Sequence, residues 1–583
     1  MGKRIAVVHE QKCKPYDCGE LCMRVCPVNK TGGECIWLNE RTKAAIDEIL
    51  CIGCGICVKK CPYGAIDIIN LPEELDFPPI HRYGRNGFHL YNLPIPMFGK
   101  VVGIVGKNGI GKSTALKILS GLLKPNLGTE ETVDYDAIID YFKGTEAQAY
   151  FEKVRDGGIK VAVKPQLVET IPDQFQGTVR ELLQNVNTDT SRIKDLATRL
   201  DLADVLDRTV DQVSGGELQR IAIAATVLKD ANVFFFDEPT SYLDIKQRLK
   251  VSKFIRELAT EDKAVIIIEH DLIILDAMTD LVHLMYGKED VYGIVSKPKA
   301  TKSGINTYLS GYIRDENIRF RNYAITFGRG ADRETGATKL VEWSDIHHHL
   351  GEFALHADAG TLHKHEVIGV LGENGIGKTS FVKLLAGVDK PEDGEVDENV
   401  RVSYKPQYLK ASEELVASVL ADALQHHKTT LVRPLELSGL LTRKLSELSG
   451  GQLQRVAVAV CLAKDADLYL LDEPSAYLDV EQRLIVSKVL SDFMLEKGKT
   501  GIVVDHDLLF IDYLSTRLMV FDGKPAQEGH AKGPFAMQEG MNRFLRDIEL
   551  TFRRDEETNR PRANKPGSQM DQRQKREKKL YYT

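Results

Sequence analysis

Cysteine almost vanishes from this sequence after residue 61. Ten are present in 583 residues, nine lie at or before Cys61, and Cys461 stands alone in the remainder. That clustering excludes a disulfide framework spread through the chain. The opening MGKRIAVVHE has no apolar signal core, so a reducing, cytoplasmic setting is expected. Long hydrophobic runs are missing as well. Stretches such as Val456 to Ala463 are core-sized and fall far short of the ~18 apolar residues of a membrane span. An excess of positive charge is also lacking. Its 77 Lys and Arg against 84 Asp and Glu give a net −7, which excludes a chain that coats nucleic acid over its whole surface and still permits local basic patches. With 43% hydrophobic residues, the chain has material for several cores, and its length implies roughly four structural units.

The cysteines that are present have a specific spacing. Cys51, Cys54, Cys57 and Cys61, followed by Pro62, read C-x2-C-x2-C-x3-C-P, the bacterial ferredoxin run. Upstream, Cys13, Cys18, Cys22 and Cys26, followed by Pro27, form a looser run. Three closely spaced thiolates wrap one cubane, and the fourth reaches the other cluster. By that rule Cys13, Cys18, Cys22 and Cys61 hold one [4Fe–4S] cluster, and Cys26, Cys51, Cys54 and Cys57 hold a second. Zinc suits the two-residue spacings but handles the C-x2-C-x2-C triplet poorly and leaves both Cys-Pro pairs unexplained. Cys35 matches no ligand position and is expected to be a spare buried thiol. Cys461 sits in an apolar helical pattern and is expected in the core.

The remainder contains an internal duplication. Gly106-Lys107-Asn108-Gly109-Ile110-Gly111-Lys112-Ser113-Thr114 and Gly372-Glu373-Asn374-Gly375-Ile376-Gly377-Lys378-Thr379-Ser380 both satisfy G-x-x-x-x-G-K-[ST]. Each follows an apolar strand and opens an amphipathic helix. The glycines let backbone N–H groups surround phosphate oxygens, the lysine reaches the β- and γ-phosphates, and Ser113 or Thr379 ligates Mg²⁺. The same series then follows twice. Gln166 and Gln407 lie in K-P-Q segments, and Ser214-Gly215-Gly216 and Ser449-Gly450-Gly451 each begin a helix. Apolar strands end in Asp237-Glu238 and Asp472-Glu473, Asp244 and Asp479 come next, and two further strands end in His270 and His506.

The copies differ in one place. The phosphate loops are 266 residues apart and the glutamines 241, so the first copy carries about 25 extra residues between Ser120 and Gln166. The inserted segment, near 134–158, reads as helix, Lys-Gly-Thr turn, helix. It suits either a solvent-facing docking hairpin or a packed elaboration of the helical subdomain. A further repeat pairs Gly304-Ile305-Asn306 with Gly540-Met541-Asn542, each behind its cassette, as elements expected along the cassette interface. Residues 551–583 hold ten Lys/Arg against five Asp/Glu. Arg319, Arg321, Arg553, Arg554, Arg560 and Arg562 are candidates for phosphate-backbone contacts, and the final QRQKREKK run is expected to fray in solvent. His347-His348-His349 has no partner cluster in the sequence and reads as a polar loop or helix start.

Taken in order, the duplicated motifs resemble the ATP-binding-cassette superfamily. With the cysteine head, the helical insertion and the hinge-like repeats, nearly the whole chain resembles the ABC-E ribosome-recycling ATPases, also called RNase L inhibitor proteins. The resemblance implies an α/β fold of two P-loop nucleotide-binding domains behind a ferredoxin-like α+β head. The expected units are 1–75 (head), 76–296 (first cassette), 297–330 (first hinge), 331–525 (second cassette) and 526–583 (second hinge and tail). It implies Mg²⁺ on Asp237 and Asp472 with Gln166 and Gln407, water polarised by Glu238 and Glu473, and γ-phosphate sensed by His270 and His506. The Ser-Gly-Gly helices act in trans, pairing Lys112 with Ser449 and Lys378 with Ser214. Adenine stacks on Phe88 and Phe353, with Tyr83 as a second face, although strand packing competes for these aromatics. The implied partners are the small ribosomal subunit with its RNA and a release factor or Pelota-like factor. The implied activity is ATP-driven subunit splitting by a monomer whose cassettes pair internally, with retention on the small subunit into initiation. An ATP-gated electron-transfer protein is the rival enzyme class.

Overall fold

The computed structural model describes residues 4–70, 78–327, 338–396, 400–407, 412–565 and 567–581. The expected unit boundaries at 75/76 and 330/331 lie outside the described residues. Among the described residues, no helix is long and apolar enough to cross a membrane.

Each cassette is built on a large twisted sheet with the same strand order. In the first it runs His81–Arg82, His89–Tyr91, Tyr292–Val295, Leu281–Lys288, Val101–Val105, Ala264–Ile268, Val233–Asp237, Val161–Lys164. In the second it runs Ile346–Leu350, Phe353–Ala357, Glu528–Ala536, Arg517–Lys524, Val367–Leu371, Thr500–Val504, Leu468–Asp472, Val402–Lys405. The central strands pair in parallel. They are buried along their whole length, which is why they read as unbroken apolar runs rather than alternating ones. Motifs at the C-terminal ends of these strands therefore gather along one edge of each sheet.

The head pairs Arg4–Val8 with Ile66–Asn70 and Ile36–Leu38 with Ala44–Ile46, both antiparallel. It docks on the first cassette, where Ile5 and Val7 join the core that holds Tyr91. Asn86 is the main polar anchor. Its carbonyl accepts from Val8 N at 2.9 Å. Its side chain donates to the carbonyls of Ala6 and Ile46 at 2.9 and 3.0 Å and accepts from Ile46 N at 2.9 Å. Lys288 adds an ion pair to Asp67 at 2.5 Å.

The insertion forms helices Tyr135–Tyr141 and Glu146–Arg155. Ile138, Phe142, Tyr150 and Phe151 bury into the first cassette's core beside Val102 and Phe235, so the hairpin packs on the sheet, not on the helical subdomain. Its outer positions, among them Asp140, Lys143 and Arg155, remain exposed.

Three expectations are corrected. His347, His348 and His349 lie on strand Ile346–Leu350, neither loop nor helix start. Pairing sets His347, His356 and His530 side by side on three adjacent strands, which the chain order could not reveal. The terminal run does not fray. Ser568 caps helix Gln569–Glu577, Asp571 and Gln574 are buried, and Gln574 Nε2 donates to the Phe552 carbonyl at 2.8 Å. Four of the six arginines are internal. Arg321 and Arg560 are buried, Arg562 pairs with Asp276 at 2.6 Å, and Arg554 pairs with Asp512 at 2.8 Å. Only Arg319 and Arg553 are exposed.

Those buried pairs tie the hinges to the cassettes. Strand Pro561–Ala563 packs on helix Leu272–Met278 of the first cassette. Asn306 Nδ2 on the first hinge donates to Asp555 and Glu557 of the second, at 3.1 and 2.8 Å.

Candidate functional site

Each phosphate loop ends in a glycine with positive φ, 90° at Gly111 and 89° at Gly377. A Cβ at Gly111 would lie 2.7 Å from the Phe88 ring, and one at Gly377 3.0 Å from the Phe353 ring, so only glycine fits. The two aromatics therefore sit against the loops. Tyr83 is exposed, and its hydroxyl lies 3.3 Å from Thr114 Oγ1.

Both lysines hydrogen-bond to their own loops. Lys112 Nζ donates to the carbonyls of Gly106 and Lys107 at 2.8 and 2.6 Å and to Asn108 Oδ1 at 3.2 Å. Lys378 Nζ donates to the Gly372 carbonyl at 2.9 Å. Ser113 Oγ donates to Asp237 Oδ2 at 3.4 Å, and Thr379 Oγ1 to Asp472 Oδ2 at 2.7 Å. Hydroxyl, carboxylate and the nearby glutamines form the all-oxygen set that suits Mg²⁺.

Glu238 and Glu473 both hold φ near 47°, a left-handed conformation that costs a non-glycine residue of order 1–3 kcal/mol. Gln166 Nε2 donates to Glu238 Oε1 at 2.7 Å, and Gln407 Nε2 to Glu473 Oε1 at 2.8 Å. His270 and His506 stand 3.5 and 3.6 Å from those same oxygens. Their settings titrate differently. Burial pushes Glu238 up, but the His270 imidazole, the Lys112 charge and the Ser241 hydroxyl outweigh it and hold the carboxyl at about 2. At Glu473 burial prevails over the Gln407 hydrogen bond, and the carboxyl is raised.

The cassettes meet head to tail. Asn108 N donates to Asp479 Oδ2, and Asn374 N to Asp244 Oδ2, each at 3.1 Å. A cavity of about 590 Å³ is lined by Lys378, Thr379 and Glu473 from the second cassette and by Ser214, Gly215 and Gly216 from the first. Ser214 and Ser449 are N-caps with full capping boxes. Each presents free helix N–H groups to whatever anion enters.

Several supporting residues had no motif to announce them. Lys164 and Lys405 are buried and donate to the carbonyls of Asp237 and Asp472 at 2.9 and 2.7 Å. Desolvation brings both down to about 8. The acids before the histidines are pinned by the loops that follow the Asp-Glu strands, Glu269 by Thr240 and Asp505 by Ser475. Each acid thus accepts both a backbone N–H and a side-chain hydroxyl from the same residue, threonine in the first cassette and serine in the second.

In the head, a small cavity is lined by Cys13, Cys18, Cys22 and Cys61. Burial, with smaller contributions from those three neighbouring thiols, pushes Cys22 up to about 11. Cys57 is likewise pushed to about 11 by burial, with Cys51 and Cys54 beside it. Thiols gathered around one cavity in this way are the donor type that an iron–sulfur cluster would take as thiolates. Among the described residues, no three His, Cys, Asp or Glu side chains close on a single metal ion. Cys35 is buried and lies against Cys26 and Cys51, where burial and those thiols raise it to about 12. Cys461 is in the core, as expected.

Comparison with known proteins adds three family matches. An ABC transporter model covers residues 95–241 and 355–476, a 4Fe-4S binding domain covers 44–67, and a possible Fer4-like domain in RNase L inhibitor, RLI, covers 4–34. Translation initiation factor RLI1 of Saccharomyces cerevisiae is 45% identical over 98% of this chain and 97% of its own length. A chain from a model of ribosome-bound archaeal Pelota and ABCE1 is 52% identical, with a TM-score of 0.94, and covers 100% of this chain and 99% of itself. This chain belongs to the ABC-E family. A second ABC-E structure, of an archaeal ribosome recycling factor in complex with ribosomal stalk protein aP1, is 50% identical with a TM-score of 0.82 and covers 87% of this chain and 99% of that one. As an ABC-E protein the chain is an ABC-superfamily ATPase with an iron–sulfur head and ATP/Mg²⁺ sites.

Proposed function

We propose that this chain is a cytoplasmic, ATP-dependent ribosome recycling factor. In this reading it works beside a release factor or Pelota-like factor at the small subunit and stays there into initiation. The carrying observation is the head-to-tail seam, in which each phosphate loop meets Asp244 or Asp479 of the other cassette and the first cassette's Ser-Gly-Gly helix shares a cavity with Lys378 of the second, with the head anchored on the first cassette. The ribosome-bound relative and the recycling-factor relative support it. An ATP-gated electron-transfer protein is not favoured.

ATP at either site bridges both cassettes, so its binding favours the closed form, and hydrolysis with product release reopens it. Lys112 and Lys378 leave their loop carbonyls for the β- and γ-phosphates. Asn108, Gly109 and Thr114, with Asn374, Gly375 and Ser380, line the same cradles. Ser113, Gln166 and Asp237, and in the second site Thr379, Gln407 and Asp472, hold Mg²⁺, which neutralises developing phosphate charge. Glu238 and Glu473 orient and polarise the attacking water. His270 and His506 contact the γ-phosphate, and Ser449-Gly450-Gly451 and Ser214-Gly215-Gly216 complete the first and second sites. Adenine stacks on Phe88 with Tyr83, and on Phe353. Cys13, Cys18, Cys22 and Cys61 hold one [4Fe–4S] cluster, and Cys26, Cys51, Cys54 and Cys57 hold another. These clusters supply a rigid core to a head too small to be stable alone. Closure then moves the head and splits the subunits.

Sedimentation of ribosomal subunits with a non-hydrolysable ATP analogue tests the proposal. The chain should travel with the small subunit, and its absence there would sink the recycling reading.

A further inference from the structure

The two composite sites have different surroundings. At the first, Lys107 of the phosphate loop crosses the seam to Glu481, with Nζ 3.0 Å from Oε1. At the second, the duplicated positions carry Glu373 and Lys246, 2.9 Å apart. The polarity is reversed. Burial differs too, since the Glu481 side chain is 8% exposed, against 58% for Lys246 and 36% for Glu373.

The reason for the reversal lies in the first hinge. Tyr323 OH donates to Glu481 Oε1 at 2.6 Å, and Arg321 Nη1 stands 3.5 Å from Oε2. Arg321 and Glu481 are both more than nine-tenths buried. A lysine at 481, like that at 246, would set a buried ammonium against a buried guanidinium. Arg321 in turn grips its own hinge, with Nε donating to the Tyr323 carbonyl at 3.0 Å and Nη2 to the Leu309 carbonyl at 2.7 Å. Leu309 lies on helix Thr301–Ser310. On the other side, the Lys107 carbonyl accepts from Lys112 Nζ, the group that ATP phosphates would draw away. One contiguous chain of contacts thus runs from the phosphate-binding lysine through Lys107, Glu481 and the Tyr323–Arg321 pair to a hinge helix.

We infer that Glu481 is a positioning residue which couples occupancy of the first ATP site to the first hinge. The inference rests on the reading of Lys112 and Ser449 as one composite site, and extends it by giving that site a direct mechanical output.

The test uses the full-length protein in two backgrounds. Lys378→Ala leaves only the first site competent, and Lys112→Ala leaves only the second. In the first background, Tyr323→Phe and Lys107→Met should each weaken binding of a non-hydrolysable ATP analogue about three- to tenfold, as loss of one hydrogen bond would. The double variant should lose clearly less than the product of the two. In the second background, Tyr323→Phe should shift affinity by less than about twofold. A fluorophore at exposed position 310 should respond to the analogue in the parent and lose that response in Glu481→Gln. Fully additive losses, or equal losses at both sites, would overturn the coupling, and Tyr323→Phe keeps the test decisive if Glu481→Gln folds poorly. A chain that shows the coupling yet does not sediment with small subunits fails the recycling reading alone. One that sediments and shows additive losses fails this inference alone.

Discussion

The two glutamates that end the Asp-Glu strands share a strained backbone and nearly the same histidine distance, yet their carboxyls are pulled in opposite directions. Glu238 is held at about 2 and Glu473 is raised. Polarising water requires the ionised form, so a raised value removes it earlier as pH falls. The acid limb of the ATPase profile should therefore lie at higher pH for the Lys112→Ala protein, which works through Glu473, than for the Lys378→Ala protein, which works through Glu238. Profiles that superimpose would remove the distinction. Glu238→Gln or Glu473→Gln should slow turnover at its own site about a hundredfold or more while leaving the nucleotide bound, measurable as occluded ATP after gel filtration. Most residues at this scale were legible because their chemistry fixes both type and spacing. A phosphate loop or a cubane-binding run repeats as a pattern. Asn86, Glu481, Lys164 and Lys405 were not legible, because each acts through a partner far away in sequence and no local spacing marks it.

At the scale of elements, strands and helices followed from apolar runs, capping serines and glycine breaks. The errors fell where tertiary pairing decides. A basic run such as QRQKREKK looks solvated until Asp571 and Gln574 are seen to face inward. Arg554, Arg560 and Arg562 looked like phosphate contacts because their acids, Asp512 and Asp276, lie 42 to 286 residues away. The hairpin turn around Asn86 gives a further prediction. Asn86→Ala removes three side-chain hydrogen bonds to the head, worth about 2–4 kcal/mol together. It should loosen the head from the first cassette without lowering the thermal midpoint of the cassettes. Limited proteolysis would check it, with faster release of a head fragment expected. In the head, Cys61→Ser should lower bound iron from about eight to about four atoms per chain, read by iron analysis alongside absorbance. Loss of all iron would indicate that the two thiol sets are not independent.

The whole molecule joins one asymmetric appendage to a near-symmetric engine. Ile5 and Val7 cover a face of the first cassette that holds Tyr91. The corresponding strands of the second cassette carry His356 and His530 there. The duplication, the head and the hinges were readable from the chain, since motif order and offsets reveal them. The direction in which the head is tied was not, because docking depends on shape. If, as proposed, each site is completed by both cassettes, Lys112→Ala should abolish nucleotide binding at one site only and lower total ATPase by more than half. A strictly additive half would mean that the sites turn over independently.

The reversed ion pairs at the seam bear on how such a chain can be inherited. A chain built from two first cassettes would set Lys107 against Lys246 at both junctions, and one built from two second cassettes would set Glu373 against Glu481. Like charges facing each other across an interface oppose closure. The halves have thus ceased to be interchangeable parts. Gene conversion that copied one half over the other would preserve every nucleotide-binding motif and still yield a machine whose jaws repel.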